Sequence, residues 1–352
     1  MIKTALSVFL LLISYGSFAQ VKPRSYVAHH IDAPLTIDGK AEEKVWEAAP
    51  FSESFIDIEG VKIPKYDTRV KMLWDDENLY FYAELKEPHI WATLKQRDTV
   101  IFYNNDFEIF IDPDGDTHNY YEFEMNALNT VWDLLLVKPY RESAPVVDSW
   151  DIQGLQTAVS INGTLNDPTD TDTSWSVEIA MPWEVLKEAS GSNAFPADNF
   201  WRINFSRVNW DHDLDGNTYS RKKDASGKFL PEYNWVWSPQ GVINMHEPEH
   251  WGYVYFSTKP VSEEVTFNIP QDEQIRWKLY AIYRAQKAYY SQNKSWATDL
   301  KAIDAAHFNL EDHTLSPTLE NHSQGWVISV ESPFSGALYS IREDGKYSEI
   351  KQ

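Results

Sequence analysis

Apolar and polar residues alternate along Asn105-Asp106-Phe107-Glu108-Ile109-Phe110-Ile111-Asp112, and after a Pro113-to-His118 turn the alternation resumes in Tyr120-Tyr121-Glu122-Phe123-Glu124-Met125-Asn126. Side chains project to opposite faces of a strand with period two. Phe107, Ile109 and Ile111, joined by Phe123 and Met125, therefore share an apolar face. Asp106, Glu108 and Phe110 turn the other way, with Glu122, Glu124 and Asn126 beside them. One face suits a core, and the other is dense in carboxylates. A second hairpin follows from Val70–Trp74, an Asp75-to-Asn78 turn and Leu79–Leu85. Further strands are predicted at 131–137, 156–161, 174–180, 201–209 and 252–256, with a short helix at 42–48 and one helical turn from Met181-Pro182-Trp183 to Leu186. Many short strands with few helices predict a mainly β chain, a jelly-roll-like β-sandwich over residues 20–260.

Beyond Pro260 the period changes. Residues 272–292 predict a helix of about six turns, with Ile275, Leu279, Ile282 and Tyr289 on one stripe. Weak strands follow at 326–330, 337–341 and 347–350, so residues 261–352 are expected to form a small α+β extension. Whether it stands apart or docks on the sandwich is open from sequence.

Residues 1–19 read as a cleaved export signal: Lys3, an apolar run from Ala5 to Ile13, and Ser17-Phe18-Ala19 as the cleavage site. The run is too short for a mature membrane anchor. A periplasmic or secreted protein is expected, with no membrane insertion after cleavage. There is no cysteine, which excludes disulfides and thiolate metal sites. With 53 acidic against 31 basic residues the formal charge is −22, which argues against nucleic-acid partners and anionic lipid. Neutral glycans and divalent cations suit that surface. Fifteen Trp and nineteen Tyr supply both core filling and faces on which pyranose rings stack.

In order, the chain contains Leu35-Thr36-Ile37-Asp38-Gly39 with Val45-Trp46, Leu73-Trp74-Asp75-Asp76-Glu77-Asn78-Leu79-Tyr80, the Asp106–Asp112 strand, Ala180-Met181-Pro182-Trp183, and Trp237-Ser238-Pro239 with Pro248-Glu249-His250-Trp251-Gly252. These segments resemble the family 9 carbohydrate-binding modules and their DOMON-like relatives over roughly residues 30–257. The resemblance implies a β-sandwich that binds glycan ends between two aromatic side chains and carries calcium. Position by position, it places one clamp aromatic at Phe102 or Tyr103 and the acidic contact at Glu108. The loop that should carry the second aromatic reads Val242-Ile243-Asn244-Met245-His246, without one, and the expected arginine falls on Glu124. The fold is therefore expected to transfer and the particular sugar pocket is not: either the ligand differs from the family's or sugar binding has been lost.

The residues assigned to carbohydrate binding are Phe102, Tyr103, Glu108, Glu124, Asn126, Trp132, Asn244, Met245 and His246. Aromatic faces would stack on sugar rings, while amides and carboxylates recover the hydrogen bonds a sugar loses on leaving water. Trp150 is a further stacking candidate, whereas Trp235 and Trp237 share a strand face suited to the core. For calcium, Asp211-His212-Asp213-Leu214-Asp215-Gly216 matches the opening of a calcium loop, so Asp211, Asp213 and Asp215 are the metal candidates. The twelfth position is Lys222 rather than Glu, and an acidic β-turn reads equally well. Asp112-Pro113-Asp114-Gly115-Asp116 is a shorter version. No haem is expected: adjacent Met245 and His246 cannot easily grip opposite faces of one iron, although Met125 could partner a His, and no Cys-x-x-Cys-His is present.

The sequence thus points to an exported, non-catalytic carbohydrate-binding protein that binds poly- or oligosaccharide and serves polysaccharide breakdown. The rival classes are a glycoside hydrolase using the strand carboxylates, and a DOMON-like haem or structural envelope protein contacting a partner through the C-terminal helix. No Gly-x-Ser-x-Gly, His-Glu-x-x-His or phosphate loop gives any other reaction a foothold.

Overall fold

The computed structural model describes residues 22–192 and 195–350. The export signal expected over residues 1–19 lies outside them. No helix among the described residues is long and apolar enough to cross a membrane.

The fold is a β-sandwich. Its strands form one hydrogen-bonded ladder of thirteen strands that turns over on itself. One layer runs through Val146–Val147, Val131–Leu136, Tyr120–Asn126, Asp106–Asp112 and Phe200–Asn209, with Tyr233–Val236 attached to the last and Ile56–Asp57 paired to Tyr233–Val236. The other contains Thr68–Trp74, Asn78–Lys86, Ser174–Pro182 and Gln156–Asn162. The layers join where Gly252–Ser257 pairs in parallel with Ser25–His30, from Ser25↔Tyr253 to His29↔Ser257. The core is the predicted one: Phe107, Ile109, Phe123, Met125 and Phe205 face Met72, Phe81, Val177 and Ile179, all fully buried. Phe81 and Phe205 meet across the layers at 5.7 Å.

Of the two readings of Asp211–Gly216, the structure has the acidic turn rather than the calcium loop: His212–Asp215 pairs with Thr218–Arg221 as a hairpin. The strand at Ser25–His30, with no clear alternation, is not anticipated from sequence.

The extension has its own core. The helix Glu273–Asn293 packs Ile275, Leu279, Ile282 and Tyr283 against Trp326, Ile328 and Ile341 of a four-stranded antiparallel sheet spanning Thr318–Ile350. The stripe drifts as an α-helix dictates, so Tyr283 and Gln286 are buried while Tyr289 lies outside the core. The other flank of this helix docks on the sandwich through ion pairs. Glu273 meets Arg202 at 3.4 Å and accepts from Tyr253 Oη at 2.7 Å. Arg284 meets Glu247 at 2.8 Å and Lys287 meets Glu142 at 2.8 Å. One flank of the helix is thus occupied within the molecule, while positions such as Lys278, Ala281 and Tyr290 remain exposed.

Candidate binding site

The polar face of the Asp106–Asp112 hairpin forms as its alternation requires: Asp106 lies opposite Asn126, Glu108 opposite Glu124, and Phe110 opposite Glu122. The next strand out brings Trp132 beside Glu124, and on the other side Ser206 lies opposite Glu108. Parity does not say what covers this face. Three irregular segments do: Tyr140, the turn carrying Met245 and His246, and the short 3-10 turn Ile101–Tyr103. They leave an acidic trough, a cavity of about 230 Å³. Its walls are aromatic at Phe102, Phe110, Trp132 and Tyr140, acidic at Glu108, Glu122, Glu124 and Glu232, and completed by Asn234 and His246. Pockets for drug-sized ligands are typically ~300–1,000 Å³, so this volume is on the scale of a single sugar unit.

The acids are buried: Glu108 is 5% exposed, Glu122 5%, Glu124 1% and Asp106 0%. Burial disfavours the ionised form, and neighbouring carboxylates add repulsion. Glu108 is pushed up to about 7, chiefly by burial. Glu122 and Glu124 are raised well above the ordinary carboxylate range by burial, then by Glu108, and Asp106 likewise. His246 is pushed down to about 3 by burial, so it is a neutral hydrogen-bonding ring. Its Nδ1 lies 3.0 Å from Tyr120 Oη, and its Nε2 lies 3.8 Å from Glu122.

The structure gathers six of the nine assigned residues around this cavity: Phe102, Glu108, Glu124, Trp132, Met245 and His246. Glu124, where the resemblance expects arginine, accepts the Phe102 backbone N–H at 2.9 Å and so fixes the turn that carries that ring. Trp132 is half-buried and donates its indole N–H to Asp148 at 2.7 Å. The other three differ from expectation. Tyr103 is 45% exposed and lies under the Arg221 guanidinium instead of lining the cavity. Asn126 is wholly buried and spends its amide on Leu94 O and the N–H groups of Leu128 and Thr130, a loop-bracing role. Asn244 accepts the His246 N–H at 3.0 Å and supports the turn from behind. Trp150 stacks on Tyr121 at 4.5 Å, while Trp235 and Trp237 are core. Sequence reasoning left out Tyr140 and Glu232, which sit in segments without periodicity. It also left Glu122 out of the site, although strand parity had already placed it there.

The metal expectation needs correction. Asp211, Asp213 and Asp215 flank or lie on an extended strand, where alternate side chains stand roughly 6–7 Å apart. Asp211 is taken by Lys65 and, at 3.2 Å, by Tyr233, and Asp213 accepts from Lys223 N at 3.3 Å. Carboxylate oxygens converge instead at Asp112, Asp114 and Asp116, within 4.8 Å of one another. Asp112 and Asp114 are both raised by burial and then by their acidic neighbours, Asp114 to about 6. Lys346 lies 2.8 Å from Asp116, and Arg276 donates to Gly115 O, so part of that charge is already balanced. A second convergence, Asp106, Glu108 and Glu124, lies at the trough itself.

A larger cleft of about 630 Å³ opens between sandwich and extension. Its buried ions Arg202, Glu273 and Arg276 pair with one another.

The family model for carbohydrate family 9 binding domain-like proteins matches residues 37–224. Among solved structures, a protein from Bacteroides uniformis ATCC 8492 is similar at 16% identity, covering 67% of this chain and 100% of that one, with a TM-score of 0.49. A family 9 carbohydrate-binding module from Caldicellulosiruptor kristjanssonii in complex with cellotriose is similar at 15% identity, covering 70% of this chain and 100% of that one, with a TM-score of 0.41. The same module in complex with glucose gives 14% identity, the same coverage and a TM-score of 0.41. No curated protein matches.

Proposed function

This chain belongs to the carbohydrate family 9 binding domain-like family, and from that premise we propose that it is an exported, non-catalytic carbohydrate-binding protein serving polysaccharide breakdown. The observation that carries this reading is the trough. Trp132, Tyr140 and Phe102 offer ring faces around Glu108, Glu122, Glu124 and Asn234, whose polar atoms can meet hydroxyls. A site of rings alone would bind weakly and without selectivity, because a sugar must regain the hydrogen bonds it loses. The position of the acids favours binding over hydrolysis. Glu108 and Glu124 are cross-strand neighbours on one floor, whereas glycoside cleavage needs two carboxyls flanking the scissile bond.

Calcium would be held at Asp112, Asp114 and Asp116, where it would offset the burial, and then the repulsion, that raise Asp112 and Asp114. That loop begins where the Asp106–Asp112 strand ends, so a cation there would stiffen one end of the trough floor.

A glycan array probed with and without chelator tests both statements. Binding to at least one saccharide class is expected, weakened on Trp132→Ala. Silence across the array, together with no product from a polysaccharide panel, rejects the reading. For calcium, chelation should lower the melting temperature of the wild type and leave an Asp114→Asn variant unchanged.

A further inference from the structure

The trough is unusual in what it lacks. No lysine or arginine is among the residues that line it. Its one basic side chain, His246, is held neutral by burial. Elsewhere in this molecule buried acids are met by guanidinium groups: Glu87 by Arg207 at 2.6 Å, Glu273 by Arg202, Glu249 by Arg141. Here Glu108, Glu122 and Glu124 are left to one another.

A second observation is independent of that count. Asp106 is fully buried behind Glu108 and Glu124, and one of its oxygens, Oδ2, has no hydrogen-bond partner among the described residues. Its other oxygen accepts Val208 N–H. An oxygen of Asp106 lies within 4.8 Å of ones from Glu108 and Glu124. A buried carboxyl oxygen without a partner is costly, and burial keeps these acids from ionising until a cation is there to pair with them. Such a face becomes favourable when something cationic completes it.

The walls say which kind of cation. Trp132, Tyr140 and Phe102 present aromatic faces to the same small volume, an environment that attracts an organic ammonium as well as a ring. A bare calcium ion would want six to eight oxygens around it, yet Glu124 Oε2 is already committed to the Phe102 N–H and one side of the cavity is aromatic, at Phe102, Trp132 and Tyr140.

We propose that the trough selects a saccharide bearing a free amine, its ammonium seated against Glu108, Glu122 and Glu124 and its ring against Trp132 and Tyr140. This rests on the carbohydrate-binding reading above and specifies its ligand.

The test uses three oligosaccharides of equal length, made of glucosamine, N-acetylglucosamine and glucose, plus the corresponding galacto-configured monosaccharides. They are titrated calorimetrically into the full chain at a pH just below neutrality. The amine-bearing sugars should bind at least ~10-fold more tightly than their neutral counterparts, since close charge pairing and cation–π contact both disappear on acetylation. That preference should collapse in Glu122→Gln and Glu124→Gln, with circular dichroism reporting fold. Glutamine at 124 keeps the acceptor for Phe102. If either variant misfolds, Glu232→Gln at the rim should reduce the preference in its place. Equal or tighter binding of the neutral sugars overturns the proposal and leaves carbohydrate binding intact, whereas silence toward all of them ends both. Calcium chloride alone serves as a further probe. Heat that vanishes in Glu108→Gln, with no amine preference, would give these acids to a metal and also overturn the proposal.

Discussion

Glu108 and Glu249 are comparably buried, at 5% and 2% exposure, yet their surroundings push them in opposite directions. Glu108 sits in the trough beside other acids and is raised to about 7. Glu249 sits at the junction with the extension. Arg141 and Arg284 lie against it there, and it is lowered to about 2 despite the cost of burial. The contrast separates two uses of a buried carboxylate. Where guanidinium groups surround it, the acid is structural glue, and here it fastens the helix Glu273–Asn293 to the sandwich. Where no cation is supplied by the fold, the acid is held in reserve for something from outside.

The comparison can be broken most forcefully at the junction. Arg202→Met should cost about 3 kcal/mol in chemical denaturation, because it removes the donors to Trp251 O and Glu249 O and one of the two guanidinium partners of Glu273, which keeps Arg276. A loss below about 1 kcal/mol would mean that these ions do not hold the two parts together. Next in size is the pH profile, where the two regions should slope oppositely. Glu249 falls from 4.5 to about 2 on folding, so its contribution is present above pH 4.5 and is lost as pH drops toward 2. Glu108 rises from 4.5 to about 7, so it is most favourable below pH 4.5 and stability declines as pH rises toward 7. Each effect is on the order of 3 kcal/mol. Glu108→Gln should flatten the decline on the alkaline side, and Glu249→Gln should flatten the acid side. If Glu108→Gln leaves the slope between those values untouched, the trough acids are not the strained set.

Smaller effects sharpen the picture. Trp132→Ala should weaken saccharide binding by about 1 kcal/mol, close to fivefold, while shifting melting little, since that ring is half-buried at the mouth. Asp213→Asn should change stability by less than about 0.5 kcal/mol and leave the response to chelator intact. A lost chelator response in that variant would restore the hairpin as the metal site.

Much of the frame was legible because period two is a strong constraint. Once Phe107, Ile109 and Ile111 shared a face, Glu108 and Glu124 had to share the other, and the structure places them opposite each other. Parity identifies a face but not its cover. The acids were expected on a wet surface and are instead roofed by Tyr140, Met245 and His246, whose segments have no regular pattern to read. Asp211 to Asp215 misled for a related reason: carboxylates at alternate positions fit a calcium loop and one side of an extended hairpin equally well. Asn126 was assigned by its face alone, although its position just before the Ala127-to-Thr130 turn makes it the natural brace for that turn. The docking of the extension was not legible, since it depends on Arg141, Arg202 and Arg284 meeting Glu247, Glu249 and Glu273 across long separations.

The parallel pairing of Ser25–His30 with Gly252–Ser257 fixes the order in which this molecule can be completed. Apart from a two-residue pairing with Thr68–Trp74, the strand Ser25–His30 has its partner among the last of the sandwich, so most of its ladder stays open until nearly the whole domain has been synthesised. Closing such a distant pair is slow, because its loop-closure entropy comes before any reward. A chain truncated before Gly252 would therefore leave both edges of that seam open, and nascent protein would remain threadable until its final sandwich strand emerged.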